Sequence, residues 1–314
     1  MTAMATDLCG VRTRTVFEVD GVAAAMADGL ETECVQLESK PFVVHHAVLA
    51  LPRMFVQFVR EDVAVARRLR VPAGKWVFLV PLAVSESTRW NARSVADHHL
   101  FVQPPGSECY AFDPAGTEFA LISVAERTAA AVLARAMLTG SIDDCTLVVR
   151  DRDAEALRRK LTLARAPASA SDLASVERRL CGALDICARY AIPSDHRVYL
   201  TAAYKRLVGR AEEFFRRHAG QRFSAGQLSS AVRVSERHLR NAFYDVYAMS
   251  PMRYFRLWQL NQARRTLRSP SSRTATVTNV ALSHGFVELG RFAGNYKALF
   301  GESPSTTLGH RPSM

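Results

Sequence analysis

The sequence predicts an α+β fold in two unlike halves: a small β-barrel or sandwich with flanking helices, then a region made of helices alone. Three observations carry this. As far as residue 124, short runs rich in β-branched and aromatic residues alternate with turn-forming pieces. Beyond residue 173, apolar residues recur instead at three- and four-residue spacing. The charge is also lopsided: from Gln221 onward thirteen Lys and Arg face four acids, giving +9 of the chain's formal +11.

At 314 residues two domains are expected rather than one. The composition breaks suggest a first domain over 1–165, a helical linker over 166–218 and a basic helical domain over 219–314. Apolar content is ordinary for a globular protein, and no apolar run approaches the ~20 residues that cross a bilayer. The N-terminus lacks a basic stretch followed by an apolar one, so secretion is not expected and the cytoplasm is. The cysteines (Cys9, Cys34, Cys109, Cys145, Cys181, Cys187) form no CxxC pair, which suits reduced structural thiols rather than disulfides or zinc fingers.

Strands are expected at Cys34–Leu37, Phe42–Leu51, Met54–Val59, Trp76–Leu82, His99–Gln103, Cys109–Phe112 and Phe119–Val124, separated by turn pieces at Pro72, Pro104 and Asp113. Helices over Val124–Leu138 and Ala154–Leu163 follow, then a linker from Ala166 to Asp172. Leu173, Val176, Leu180, Leu184 and Cys187 form one helical stripe; Leu200, Tyr204, Leu207, Ala211 and Phe214 form another. Such stripes suit a dimer-forming helical pair or packing on the barrel equally well.

In the basic region Ser224 with Gln227 makes a capping box, followed by a helix whose buried stripe is Leu228, Ala231 and Val232. Ser235 caps the next helix, striped by Leu239, Ala242 and Phe243. The Val232–Val234 joint is short enough only for a tight turn, which makes the pair a helix-turn-helix. A longer helix runs from Pro251 to Arg268, with proline acceptable in the first turn, and a breaker-rich joint follows from Ser269. The pattern then recurs. Thr276 caps a helix carrying Val277, Val280, Ala281 and Leu282; His284–Phe286 turns on Gly285; Leu289, Phe292, Tyr296 and Leu299 stripe a second reading helix, with Gly301 as its end and Pro304 as a stop.

A basic excess concentrated on one helical domain is the footprint of a polyanion, because neutralised phosphates supply most non-specific affinity. With Leu239, Ala242 and Phe243 turned inward, Arg237, Arg240 and Asn241 are left outward, and these residue types pair with guanine and adenine edges. The neighbouring Ser235 and His238 suit capping and phosphate contact. On the second reading helix Arg291, Asn295 and Lys297 are the candidates.

Read together, Arg222–Phe243, Ser250–Leu267 and Val277–Pro304 resemble the DNA-binding domain of the AraC/XylS family of bacterial transcription regulators. That family uses the positions of Arg237, Arg240 and Asn241 for base contacts. The chain departs from the family at Leu289, Gly290, Ala293 and Gly294, where polar readers are common, so the second unit is expected to read thymine methyls or DNA shape, or to hold the backbone. The resemblance implies double-stranded DNA and RNA polymerase as partners, a homodimer, and an activator rather than a repressor.

Val35–Phe42, the Pro81 turn leading to Trp90, and Pro104–Glu108 resemble the cupin-like effector domain that precedes many such DNA-binding domains, although Ala92 stands where a glycine is expected. Metal-binding cupins use a His-X-His pair. Here the histidines are adjacent, His45–His46 and His98–His99, and adjacent strand residues point to opposite faces, so neither metal nor cofactor is expected. No Ser/His/Asp arrangement, phosphate loop or dinucleotide fingerprint occurs, so no catalytic role is expected. A barrel of this kind binds a small effector, with Trp76, Phe78, Trp90, Phe101 and Tyr110 as candidate walls. Control by a protein partner is the second reading, and a cupin enzyme with a DNA-binding tail the third.

Overall fold

The computed structural model describes residues 5–8, 11–26, 29–133, 145–165, 172–193, 198–269 and 276–309. The strands are β1 (Ala5–Leu8), β2 (Val11–Val16), β3 (Glu31–Gln36), β4 (Val44–Ala50), β5 (Met54–Glu61), β6 (Val65–Arg70), β7 (Lys75–Ala83), β8 (Arg89–Trp90), β9 (Arg93–Ser94), β10 (His99–Gln103), β11 (Glu108–Asp113), β12 (Thr117–Ala125), β13 (Cys145–Val148) and β14 (Ile192–Pro193). The helices are α1 (Val19–Ala25), α2 (Glu126–Leu133), α3 (Asp151–Ala164), α4 (Leu173–Tyr190), α5 (Val198–Arg217), α6 (Ala225–Ala231), α7 (Glu236–Tyr247), α8 (Pro251–Arg268), α9 (Val277–Ser283), α10 (Leu289–Phe300) and α11 (Pro304–Gly309).

The N-terminal strands form two antiparallel sheets, ordered β1-β2-β4-β5-β12-β7-β10-β13-β14 and β3-β6-β11-β8-β9. No ladder joins the sheets among the described residues, so the expected barrel is an open sandwich, its larger sheet extended at one end by β1 and β2 and at the other by β13 and β14. Four layers result. Helices α2–α4 cover the outer face of the larger sheet. The sheets enclose a second core containing Val59, Leu79, Trp90 and Phe119. The outer face of the smaller sheet, through Val35, Ala66 and Tyr110, packs on α5, α7 and α8. Strand β7 is therefore buried on both faces, which is why Trp76–Val80 is a continuous apolar run rather than an alternating one.

Two expectations are corrected. The helix expected from Val124 begins at Glu126, because β12 runs on to Ala125 against β7; residues 134–138 lie outside the described residues, as do 166–171 of the linker and 270–275 of the second joint. Pro304 does not stop a helix but opens α11, where its missing N–H costs nothing. Helix α5, within the expected linker, packs its Leu207, Val208, Ala211 and Phe215 with Leu228, Phe243, Tyr254 and Phe255.

Candidate nucleic-acid interface

The first helix-turn-helix is set by local hydrogen bonds. Ser224 Oγ accepts from the Gln227 N–H at 3.2 Å while the Gln227 side chain accepts from the Ser224 N–H at 2.8 Å, so both ends of the capping box are made. Helix α6 then stops at a turn in which Arg233 is left-handed (φ 57°). Ser235 Oγ accepts from the His238 N–H at 3.2 Å and starts α7. Leu239, Ala242, Phe243, Val246 and Tyr247 bury one face of α7. Arg237, His238, Arg240 and Asn241 stand exposed on the other.

At 100° per residue, Arg237 and Asn241 lie at the centre of the exposed face, while Arg240 and His238 flank it. Tyr244, half-exposed, falls on the same face as Arg237 and Asn241. Sequence reasoning missed it, although its i+3 and i+7 spacing from them is visible in the sequence. The His238 ring stands edge-on to Tyr204 of α5, 5.4 Å between centroids.

The second unit repeats the scaffold with different faces. Thr276 Oγ1 accepts from the Asn279 N–H at 3.1 Å to start α9. Gly285 takes φ +81° at the turn, where an added Cβ would meet the Gln259 amide at 3.0 Å. Phe292, Tyr296, Leu299 and Phe300 bury α10, but Leu289, expected in that stripe, is 40% exposed at the helix start. The outward centre of α10 is Gly290, Gly294 and Ala298, with Arg291 and Lys297 on opposite flanks. Asn295 is half-buried and shares a small recess with Arg222, Arg256, Glu288 and Arg291. There Glu288 pairs with Arg222 at 3.4 Å and with Arg291 at 3.8 Å. Burial, then the nearby Arg291 and Arg222, lower the Arg256 pKa. The structure thus brings Arg291 and Asn295 together and leaves Lys297 apart.

The helix α8 joins the units, its Tyr254, Phe255 and Trp258 in the first core and its Leu260, Ala263 and Leu267 in the second. Several of its cations are turned away from any external partner. Arg264 pairs with Glu302 at 3.0 Å, Arg265 lies 3.8 Å from Glu33, and Arg268 pairs with Glu18. The Asn261 side chain accepts from the Gln36 N–H at 3.1 Å and donates to the Gln36 carbonyl at 3.2 Å, pairing with the edge of β3 as a strand would.

The five candidate effector walls do not line one cavity. Trp76 and Phe78 are packed between the larger sheet and its helices. Trp90 and Phe101 lie between the sheets, edge-on at 5.0 Å. Tyr110 lies against α5 and α7. The recess beside Trp90 holds only about 10 Å³, room for one water. It adjoins Asp113, Arg67 and Glu61, a buried charged group in which Arg67 pairs with Glu61. Of the two adjacent pairs, His45 and His46 face opposite ways, His45 exposed and paired with Asp62 at 3.0 Å, His46 buried and bonded to Gln57 at 3.1 Å, whereas the rings of His98 and His99 stand edge-on to each other at 4.8 Å, because His98 precedes β10. Among the described residues no group of three His, Cys, Asp or Glu converges on a point. Cys34, Cys109, Cys181 and Cys187 are free thiols, and no helix among the described residues is long and apolar enough to cross a membrane.

Residues 228–310 match the family model described as a helix-turn-helix domain. Over 106 residues the chain is 37% identical to the XylDLEGF operon transcriptional activator of Pseudomonas putida, a match covering 34% of this chain and 32% of that one. Over 102 residues it is 35% identical to the probable thc operon regulatory protein of Rhodococcus erythropolis, covering 32% and 31%. The chain thus spans about a third of the length of these curated relatives. A solved probable AraC family transcriptional regulator from Rhodopseudomonas palustris is 33% identical, with a TM-score of 0.31, across 34% of this chain and 99% of its own.

Proposed function

Since the chain belongs through its C-terminal domain to the AraC/XylS family of helix-turn-helix regulators, we propose that it is a sequence-specific transcription activator whose N-terminal sandwich senses a small effector. The observation that carries the DNA part is the exposed row Arg237, Arg240 and Asn241 on α7, opposite a fully apolar face. Arginine and asparagine at these positions read guanine and adenine in the major groove, while Ser235, His238, Arg291, Asn295 and Lys297 serve the backbone. Effector occupancy acts by changing how the sandwich holds α5 and α8, and through them the two units.

Anisotropy titration of the full chain on a promoter duplex tests this at fixed salt. Arg237→Ala and Arg240→Ala are each expected to cost about 1–3 kcal/mol on the preferred site and to relax preference at one base pair. Unchanged affinity and preference in both would remove α7 as the reading helix.

A further inference from the structure

A large cleft lies between the sandwich and the helical region. It measures about 990 Å³ and is bounded by the β10–β11 turn (Pro104–Ser107), Tyr110 and the outer face of α5. Val234 and His238 of the first helix-turn-helix close one end. Pro104, Pro105, Tyr110 and Leu207 make its apolar wall, and a volume of this size accepts a small organic molecule.

Its charge has one sign left over. Burial alone would raise the Glu108 pKa, yet hydrogen bonds from Arg68 (2.6 Å) and the Tyr110 hydroxyl (2.8 Å) hold it down to about 2, so this carboxylate is already matched. Glu213 is matched likewise by Arg217 at 3.0 Å and Arg216 at 3.7 Å. Arg206 and Arg210, one turn apart on α5, are exposed at the rim and have no ion-pair partner among the described residues. Two guanidinium groups beside an apolar wall suit a ligand that is apolar along its body and anionic at one end.

The cleft is also wired to the reading helix. Tyr110 can approach α5 only because residue 209 is glycine; a Cβ there would stand 2.8 Å from the Tyr110 hydroxyl. From the same strand layer Arg68 reaches Glu212 at 3.8 Å, and Glu212 accepts from the hydroxyls of Tyr247 at 2.6 Å and Tyr254 at 2.7 Å. A ligand spanning the β10–β11 turn and α5 therefore touches the elements that position α7 and α8.

We infer that this cleft, rather than the sandwich interior, is the effector site, and that the effector is a small organic anion with its charged end at Arg206 and Arg210. The inference rests on the regulator reading above. Anilinonaphthalene sulfonate, an apolar anion that fluoresces when shielded from water, serves as the probe, with uncharged phenylnaphthylamine as its control. The full chain should bind the sulfonate at one saturable site. In the double variant Arg206→Gln/Arg210→Gln, both positions exposed, affinity for the sulfonate should fall about tenfold or more, with affinity for phenylnaphthylamine and the melting temperature unchanged. Equal sulfonate affinity in the two proteins overturns the inference. So does one-for-one displacement of the sulfonate by a promoter duplex, which would make the cleft part of the DNA surface. DNA affinity measured on the same samples keeps the two readings apart: a chain that binds sulfonate as expected but no duplex rejects the regulator and leaves the anion site standing.

Discussion

Trp90 donates its indole N–H to Asp113 at 2.8 Å and stands edge-on to Phe101 and Phe119 at 5.0 and 5.6 Å. These are the surroundings of a core residue. Trp90→Ala is therefore expected to cost about 3–5 kcal/mol and to lower the melting temperature of the sandwich; a variant that melts normally and ignores effector would make the indole a ligand wall instead. His46 gives a pH dependence. Burial first, and Arg67 and Arg14 with it, lower its pKa from 6.5 to about 4 against the opposing bond to Gln57. The unfolded chain thus takes up a proton near pH 6.5 that the folded chain refuses until about pH 4. Stability is unaffected above that window and falls as pH descends through it, by on the order of 3 kcal/mol from this residue. Urea unfolding between pH 7 and 4 checks the sign, and His46→Gln should flatten the decline.

At the scale of elements, the caps were legible because each is a local contract among four residues: Ser224 with Gln227, Ser235 with His238, Thr276 with Asn279. The strand β6 was not. Its sequence, Val-Ala-Arg-Arg-Leu-Arg, reads as a charged surface segment, yet Arg67 is buried against Glu61 while Arg68 and Arg70 pair with Glu108. Glu108 lies some 40 residues from Arg68 in sequence, and Glu61, though close to Arg67 along the chain, belongs to the other sheet, so nothing local announces either partner. The surroundings of the candidate effector walls were hidden for a related reason. Aromatic residues mark strands, but which of three cores each enters depends on the stacking of layers. The role of α5 was half legible: its stripe was visible, its partner was not. Because that stripe closes the first helical core, we expect a fragment starting at Val198 to unfold cooperatively and bind duplex with a steep salt dependence. A fragment starting at His218, which lacks Leu207, Val208, Ala211 and Phe215, should lose the sharp transition. Equal melting of the two fragments would return the boundary to residue 219.

Over the whole molecule, charge and shape divide differently from what a count of residues suggests. The helical region carries most of the net charge, yet Arg265 and Arg268 face acids of the sandwich and its first helix. Among the described residues, exposed cations remain on and around α7 and α10, so the basic excess both fastens the two parts and faces outward. Helix α8 is the member common to both units. Its 18 residues span about 27 Å at 1.5 Å per residue, somewhat short of the ~34 Å between successive major-groove faces of a duplex. The second helix of one helix-turn-helix unit packs on its first half and that of the other on its second half, and the two differ in kind: arginines, asparagine and tyrosine on α7, bare glycines between two cations on α10. Symmetric dimers read the same half-site twice and cannot tell one end of it from the other. A single chain with two unlike heads on one strut can. On the proposed function its target has a left and a right, and reversing the site would turn the sandwich toward the opposite end of the duplex.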